Sequence, residues 1–306
     1  MKTVKNIFYF LLTVFFVMSC SSDDPQKDNL QGNAYPDDST RFFQNLKYGE
    51  SSSQVLDMVF PDEPRKITKP VNVFLFIHGG GWESGDKSVY SEALVDNSNN
   101  GYLLTAAMNY RMFGENATCA DMLDDIHSAL QLIKKTAADR NVTVSKVILM
   151  GASAGGHLSM LYSYENNQIS PIPIAFCVSQ AGPADFTDTE LYTDNTLRDY
   201  MLGCVSKLLG EMITPENYTQ KTNVLLSISP IHYVKENSPP TLIAHGMRDE
   251  IVPVSNAIRL YDKITKIGAN GDLFIYPESA HDLTNDPEVN EAFYSKFLEY
   301  FYLYME

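Results

Sequence analysis

Positive charge is scarce in this chain. Its 306 residues hold 23 lysines and arginines against 38 aspartates and glutamates, a formal net charge of −15. Such a surface repels phosphate backbones and anionic headgroups, which argues against nucleic acid as a partner and against electrostatic adhesion to a membrane. Histidine and cysteine are also few, at six and four residues. No pair of them has metal-ligand spacing and no Cys-x-x-Cys occurs, so no metal is expected. The glycine runs match neither a dinucleotide nor a phosphate fingerprint, so no cofactor is expected either. Past residue 18 no apolar run is long enough to suggest a membrane span.

The first residues carry the one such run. Met1-Lys2 and Lys5 are followed by mostly apolar residues 6–18 and then by Val17-Met18-Ser19-Cys20. The run is too short to span comfortably as a mature helix and reads as a removable signal peptide, residues 1–19. The small residue before Cys20 resembles a bacterial lipoprotein processing site, with Cys20 lipidated; an ordinary signal peptide beside a coincidental cysteine is the other reading. Residues 20–40 are polar and read as a disordered tether. The pair Asp23-Asp24 resembles sequences that send lipoproteins to the outer surface in some Gram-negative bacteria. The expected location is therefore the outer membrane, surface-exposed and held by lipid alone, with a periplasmic or secreted protein as the alternative. Of the other cysteines, Cys177 lies in a buried strand pattern, and whether Cys119 pairs with Cys204 is open.

Residues 41–306 are enough for one large domain with a well-buried core. An early antiparallel strand is expected at 54–60. Further strands are expected at 71–77, 102–108, 146–150, 172–179, 241–245 and 272–276. Helices are expected at 120–136, 154–164, 254–267 and 289–303. Strands alternating with helices predict a mostly parallel sheet covered on both faces, with ligands at the carboxyl ends of the strands. Residues 182–238 interrupt this rhythm and read as a small cap over the site, or as a surface insertion unrelated to substrate. The aromatic-rich C-terminal stretch reads as a helix packed on the sheet.

Two motifs sit at strand ends. Gly151-Ala152-Ser153-Ala154-Gly155 follows the apolar run 146–150 and precedes a helix. A strand that turns sharply into a helix lifts one hydroxyl above the sheet, and the helix start offers free N–H groups to an oxyanion. Upstream, strand 71–77 runs into His78-Gly79-Gly80-Gly81-Trp82. Three glycines let a backbone turn its N–H groups into a cavity, although alone they also fit a flexible loop. His78 is expected to order this loop through a backbone hydrogen bond.

Together these motifs resemble the α/β-hydrolase family, and within it the serine esterases with a His-Gly-Gly-Gly motif: hormone-sensitive-lipase-like and feruloyl or acetyl-xylan esterase-like enzymes. The resemblance runs from about Lys47 to the C-terminus. It includes Asn109-Tyr110-Arg111, Ser229-Pro230-Ile231 and the stretch from Pro239 through Asp249 to Pro253. Trp82 and Gly85-Asp86-Lys87 lean toward carbohydrate esterases. One departure is Thr118-Cys119-Ala120, where the family often has a proline ahead of the helix carrying Asp125.

The resemblance implies an α/β-hydrolase fold, a mostly parallel central sheet flanked by helices with a small cap insertion. It also implies a triad in the chain order serine, acid, histidine. Ser153 is the nucleophile. Three histidines lie beyond its own helix: His232, His245 and His281. His281, after the last strand, is the favoured base; His245 would sit under the loop that carries the acid. Asp249 is the favoured acid, with Glu250 beside it pointing elsewhere. The oxyanion donors are the N–H groups of Gly80, Gly81 and Ala154, with that of Trp82 able to replace one glycine. An ion pair between Arg111 and Asp125 beneath the site follows from the same pattern, while His157 and His127 are assigned packing and helix-surface roles. The implied activity is hydrolysis of an acyl ester on a small molecule or an acylated oligosaccharide, acetyl or feruloyl. A peptidase or amidase of the same fold, and a non-catalytic glycan-binding lipoprotein, are the rival readings.

Overall fold

A computed structural model describes residues 40–101 and 103–305. The signal peptide, Cys20 and nearly all of the tether lie outside the described residues. Eight strands form a single sheet in the order β1-β2-β4-β3-β5-β6-β7-β8. In chain order they are β1 (Phe42–Lys47), β2 (Val55–Val59), β3 (Val71–Ile77), β4 (Leu103–Met108), β5 (Val144–Ala152), β6 (Ile174–Gln180), β7 (Thr241–Gly246) and β8 (Gly271–Tyr276). β4, β3, β5, β6, β7 and β8 run parallel, whereas β2 is antiparallel to β4 and to β1.

Central strands of such a sheet are buried on both faces, which is why β3 from Val73 to Ile77 reads as continuous hydrophobic sequence. Phe74, Leu75, Phe76 and Ile77 all have 0% exposure, yet they alternate between two separate cores. Leu75 and Ile77 pack with α2 (Cys119–Ala138), α3 (Ala154–Glu165) and α7 (Ser255–Lys266). Phe74 and Phe76 face α1 (Ser91–Gly101) and α8 (Pro287–Tyr304). On α8, the Phe297 ring centroid lies 5.8 Å from Phe74 and 5.7 Å from Phe176, so the C-terminal aromatics form a packed seam on the sheet.

Two elements escape the periodicity argument. β1 is a short edge strand with one buried residue, Phe43, among exposed neighbours. α1 is rich in asparagine and carries only a narrow apolar face, including Ala93 and Leu94. Tertiary packing overrides weak local preference in both. At the departure from the family pattern, Thr118 caps α2: its Oγ1 accepts from Asp121 N, and the Asp121 carboxylate accepts from Thr118 N. A capping box thus starts this helix without a proline.

Residues 182–238, between β6 and β7, are helical: α4 (Asn195–Leu209), α5 (Thr222–Leu226) and α6 (Pro230–Tyr233), with a 3-10 turn at Thr189–Tyr192. Leu191, Tyr192, Met201, Leu202, Val205 and Leu208 join the same core as α2 and α3. This segment is an integral layer, and α3 is buried from Ala154 to Tyr164. Cys119, Cys177 and Cys204 are buried free thiols, so the open question of a Cys119–Cys204 disulfide resolves to unpaired cysteines.

Candidate active site

Every residue singled out for catalysis lies at the carboxyl end of a parallel strand. Ser153 follows β5 with φ 52° and ψ −119°, a conformation that an L-residue with a Cβ rarely adopts. Its N–H donates to Gln180 O at 2.8 Å, which pins the elbow to the end of β6. A serine at a helix N-cap ordinarily accepts a bond from the first turn, but here its side chain makes no capping bond. The turn thus leaves the hydroxyl free while α3 begins at Ala154.

Close backbone approach positions the glycine loop against this elbow. A Cβ on Gly155 would lie 2.0 Å from Ile77 O and 2.7 Å from His78 O, so α3 can start against the end of β3 only with glycine there. Gly80 (φ 111°) and Gly81 (φ 61°) then turn the chain through conformations that favour glycine. Among the described residues, the N–H groups of Gly80, Gly81, Trp82 and Ala154 donate to no protein acceptor. That is the state required of an oxyanion site before substrate arrives.

His78 supports the loop as expected, with Nδ1 2.7 Å from Gly79 O and its ring stacked on Tyr110 at 4.5 Å. Behind it, Lys87 Nζ donates to Asp57 Oδ2 at 2.8 Å in a buried ion pair that ties the loop's far side to β2. Arg111 grips Asp125 through Nε and Nη2, at 3.0 and 2.8 Å from Oδ1, and Gln54 Nε2 donates to the same oxygen at 2.7 Å. The expected ion pair is present, with Asp125 buried and Arg111 partly exposed.

The acid and base loops are stitched together by main-chain bonds: Met247 N to Tyr276 O at 2.9 Å and Arg248 N to Ser279 O at 3.0 Å. They bring Asp249 Oδ2 within 2.7 Å of His281 Nδ1. Asp249 Oδ1 accepts the N–H groups of Ile251 and Val252, each at 2.9 Å. Burial alone would raise the Asp249 pKa, but hydrogen bonds from His245 and His281 overcome it and hold the carboxyl well below its usual range. Asp249 is therefore a fixed anion beside His281. Glu250 points to solvent. Among the described residues, no hydrogen bond joins Ser153 to His281. Such contacts often tighten only with substrate bound.

The remaining histidines divide as the sequence suggested. His157 is buried between Trp82 and Phe186, and its Nε2 lies 2.7 Å from Ile228 O. Burial pushes its pKa down to about 4, against a smaller upward pull from that hydrogen bond. His127 Nδ1 lies 3.1 Å from Tyr162 Oη on the partly exposed face of α2. His245 sits under the acid loop, but sequence reasoning did not give it the Asp249 carboxylate, which its Nε2 approaches to 3.2 Å. The available signal was the four-residue spacing from His245, at a strand end, to Asp249. Tyr200 of α4 belongs to the segment expected to cap the site, but its place was not foreseen: its Oη would lie 2.3 Å from a Cβ on Gly81, and it donates to Glu83 Oε1 at 3.4 Å. α4 thereby rests on the glycine loop. Among the described residues, no cluster of three or more His, Cys, Asp or Glu side chains is arranged to hold a metal.

Residues 56–264 match the BD-FAE family model. The chain belongs to the BD-FAE family. Among curated proteins it is similar to a probable carboxylic ester hydrolase, LipM, of Mycobacterium tuberculosis. The two are 27% identical over 209 residues, 66% of this chain and 46% of LipM. This member thus spans about half the length of the curated relatives it matches. Among solved structures, a truncated carbohydrate esterase from gut microbiota superposes with a TM-score of 0.65 at 18% identity, covering 87% of this chain and 98% of that one. Esterase B of Lactobacillus rhamnosus superposes with a TM-score of 0.68 at 18% identity, covering 86% of each. These likenesses, with the sheet order above, establish the α/β-hydrolase fold.

Proposed function

We propose that this BD-FAE member is a serine carboxylic ester hydrolase. Ser153 Oγ attacks the ester carbonyl carbon while His281 Nε2 takes its proton. The oxygen turned negative is held by the N–H groups of Gly80, Gly81 and Ala154. His281 then protonates the departing alcohol, leaving an acyl group on Ser153. Water, deprotonated by His281, attacks this acyl-enzyme and releases the acid. Asp249 keeps the His281 proton on Nδ1 and steadies the imidazolium.

The observation that carries this reading is the 2.7 Å contact between Asp249 Oδ2 and His281 Nδ1. It directs Nε2 to act as base, at the sheet end where the strained Ser153 elbow stands. The ester hydrolase named among the relatives supports the same chemistry.

For substrate we propose acetyl or feruloyl esters on polysaccharide. The support is the carbohydrate esterase among the fold's neighbours and the Trp82 to Lys87 sequence after the glycine loop. We propose as well that residues 182–238 cap the site, through Tyr200 over Gly81, and that lipid on Cys20 holds the enzyme at the outer membrane.

The test is fluorophosphonate labelling together with turnover of p-nitrophenyl acetate, methyl ferulate, acetylated xylan and peptide anilides. Ser153→Ala should abolish labelling and lower kcat on p-nitrophenyl acetate by about 10⁴–10⁶, His281→Ala should cost a similar factor, and the double variant little more. A Ser153→Ala protein keeping a tenth of wild-type turnover refutes the assignment. Anilides turned over faster than every ester would make it an amidase.

A further inference from the structure

We infer that His245 is a positioning residue for the catalytic pair: its Nε2–H, bonded to Val252 O, closes the Asp249–Val252 loop and stands beside Asp249 Oδ2, and so sets how that oxygen meets the His281 proton. The inference rests on the esterase reading above.

His245 ends β7 with 0% exposure. Its Nε2 lies 2.8 Å from Val252 O and 3.2 Å from Asp249 Oδ2. Val252 O is an acceptor, so Nε2 carries the ring proton and donates it there, with the Asp249 carboxylate at its side. Nδ1 is buried with no partner, and a second proton there would be a donor without an acceptor.

Two consequences follow. The first is mechanical. Val252 is tied at both ends, its N–H to Asp249 Oδ1 and its carbonyl to His245 Nε2, so the loop from Asp249 to Val252 closes on His245 and cannot turn the carboxylate away from His281. The second is electrostatic. Asp249 accepts from Ile251 N, Val252 N and His281 Nδ1, and the His245 Nε2–H dipole lies 3.2 Å from its Oδ2. A carboxylate with three donors and a further N–H dipole beside it is less basic toward each donor. Without His245, Oδ2 would face His281 alone and would stabilise its protonated form more strongly. The other charged groups on the two loops are Glu250, the exposed Arg248–Glu278 pair, Asp282 with Thr284 on its Oδ2, and Asp286 beneath Ser279. The variants below leave all of them in place.

The experiment measures kcat, KM and the pH dependence of kcat/KM on p-nitrophenyl acetate for His245→Phe and His245→Gln. Phenylalanine keeps the ring and removes the donor; glutamine restores an N–H near the same place. In His245→Phe the acid limb of kcat/KM should move to higher pH by on the order of half a unit. Its kcat should fall by roughly three- to thirtyfold, with KM within about twofold of wild type. His245→Gln should recover at least half of the displacement. A purely structural residue would lower the active fraction without moving the limb. An unmoved limb in folded His245→Phe, or equal displacement in both variants, overturns the inference.

Should His245→Phe not fold, nitrogen-15 NMR of histidine-labelled wild type and Asp249→Asn decides. The His245 Nε2 signal should move together with the His281 signal, and a stationary His245 signal overturns the contact. An active Ser153→Ala protein would instead defeat the esterase reading, so the two failures are distinct.

Discussion

At Asp249 and its neighbour Glu250, two carboxylates share one loop and differ completely in surroundings. Asp249 is buried and surrounded by donors, while Glu250 is exposed. Asp249→Asn should preserve the fold and lower kcat by about 10³–10⁴, because the amide favours the unproductive His281 tautomer. Glu250→Gln should leave kcat nearly unchanged; the reverse order in steady-state assays would overturn the assignment. His157 makes a prediction about stability. Its folded pKa of about 4 lies below the ~6.5 of a histidine in an unfolded chain. The unfolded chain therefore takes up a proton that the folded chain refuses. Its contribution is complete above pH ~6.5 and is lost as pH falls toward 4, by about 3 kcal/mol in all. In His157→Gln, which keeps a donor for Ile228 O, urea unfolding between pH 7 and pH 4.5 should show a shallower loss than wild type.

Between elements, the buried Lys87–Asp57 pair joins the segment after the glycine loop to β2, and Asp57 Oδ1 also accepts from Asn45 N at 2.8 Å. Lys87→Met would strand a buried carboxylate and should cost about 3 kcal/mol in urea unfolding, whereas Asp57→Val with Lys87→Met should recover most of it. A double variant no more stable than the single one would show that the pair does not act as a unit. Much of the element layout was legible in sequence, for a physical reason. β3, β5, β6 and β7 are largely buried on both faces and read as mainly apolar runs, and the glycines near their ends record tight approach of backbones. β1 and α1 were missed because their stability comes from neighbours, not from their own pattern. The site was legible where chemistry restricts residue type and spacing together, as at Ser153 and Asp249. The contact of Tyr200 with the glycine loop was not, because it depends on a distance between segments that no spacing encodes, and that of His245 with Asp249 left only their four-residue spacing as a trace.

Taken whole, the molecule carries a formal charge of −15, and among the described residues no helix is long and apolar enough to cross a membrane. On the proposed reading, attachment depends on Cys20 alone. Cys20→Ala should end incorporation of a palmitate analogue and shift the protein to the soluble fraction, with kcat/KM on p-nitrophenyl acetate unchanged. Label persisting on that variant would refute the lipidation site. Unchanged catalysis is expected because every candidate catalytic group belongs to the sheet and its loops, beginning well after the tether.

The backbone at Ser153, φ 52° and ψ −119°, also bears on descent. For the fold alone glycine suits that corner better. It relieves backbone strain of about 1–3 kcal/mol, against about 0.5–1 kcal/mol for glycine's greater freedom in the unfolded chain. On the proposed reading, serine stands there for its hydroxyl. On the same reading, a descendant with glycine at this position would have exchanged turnover for stability.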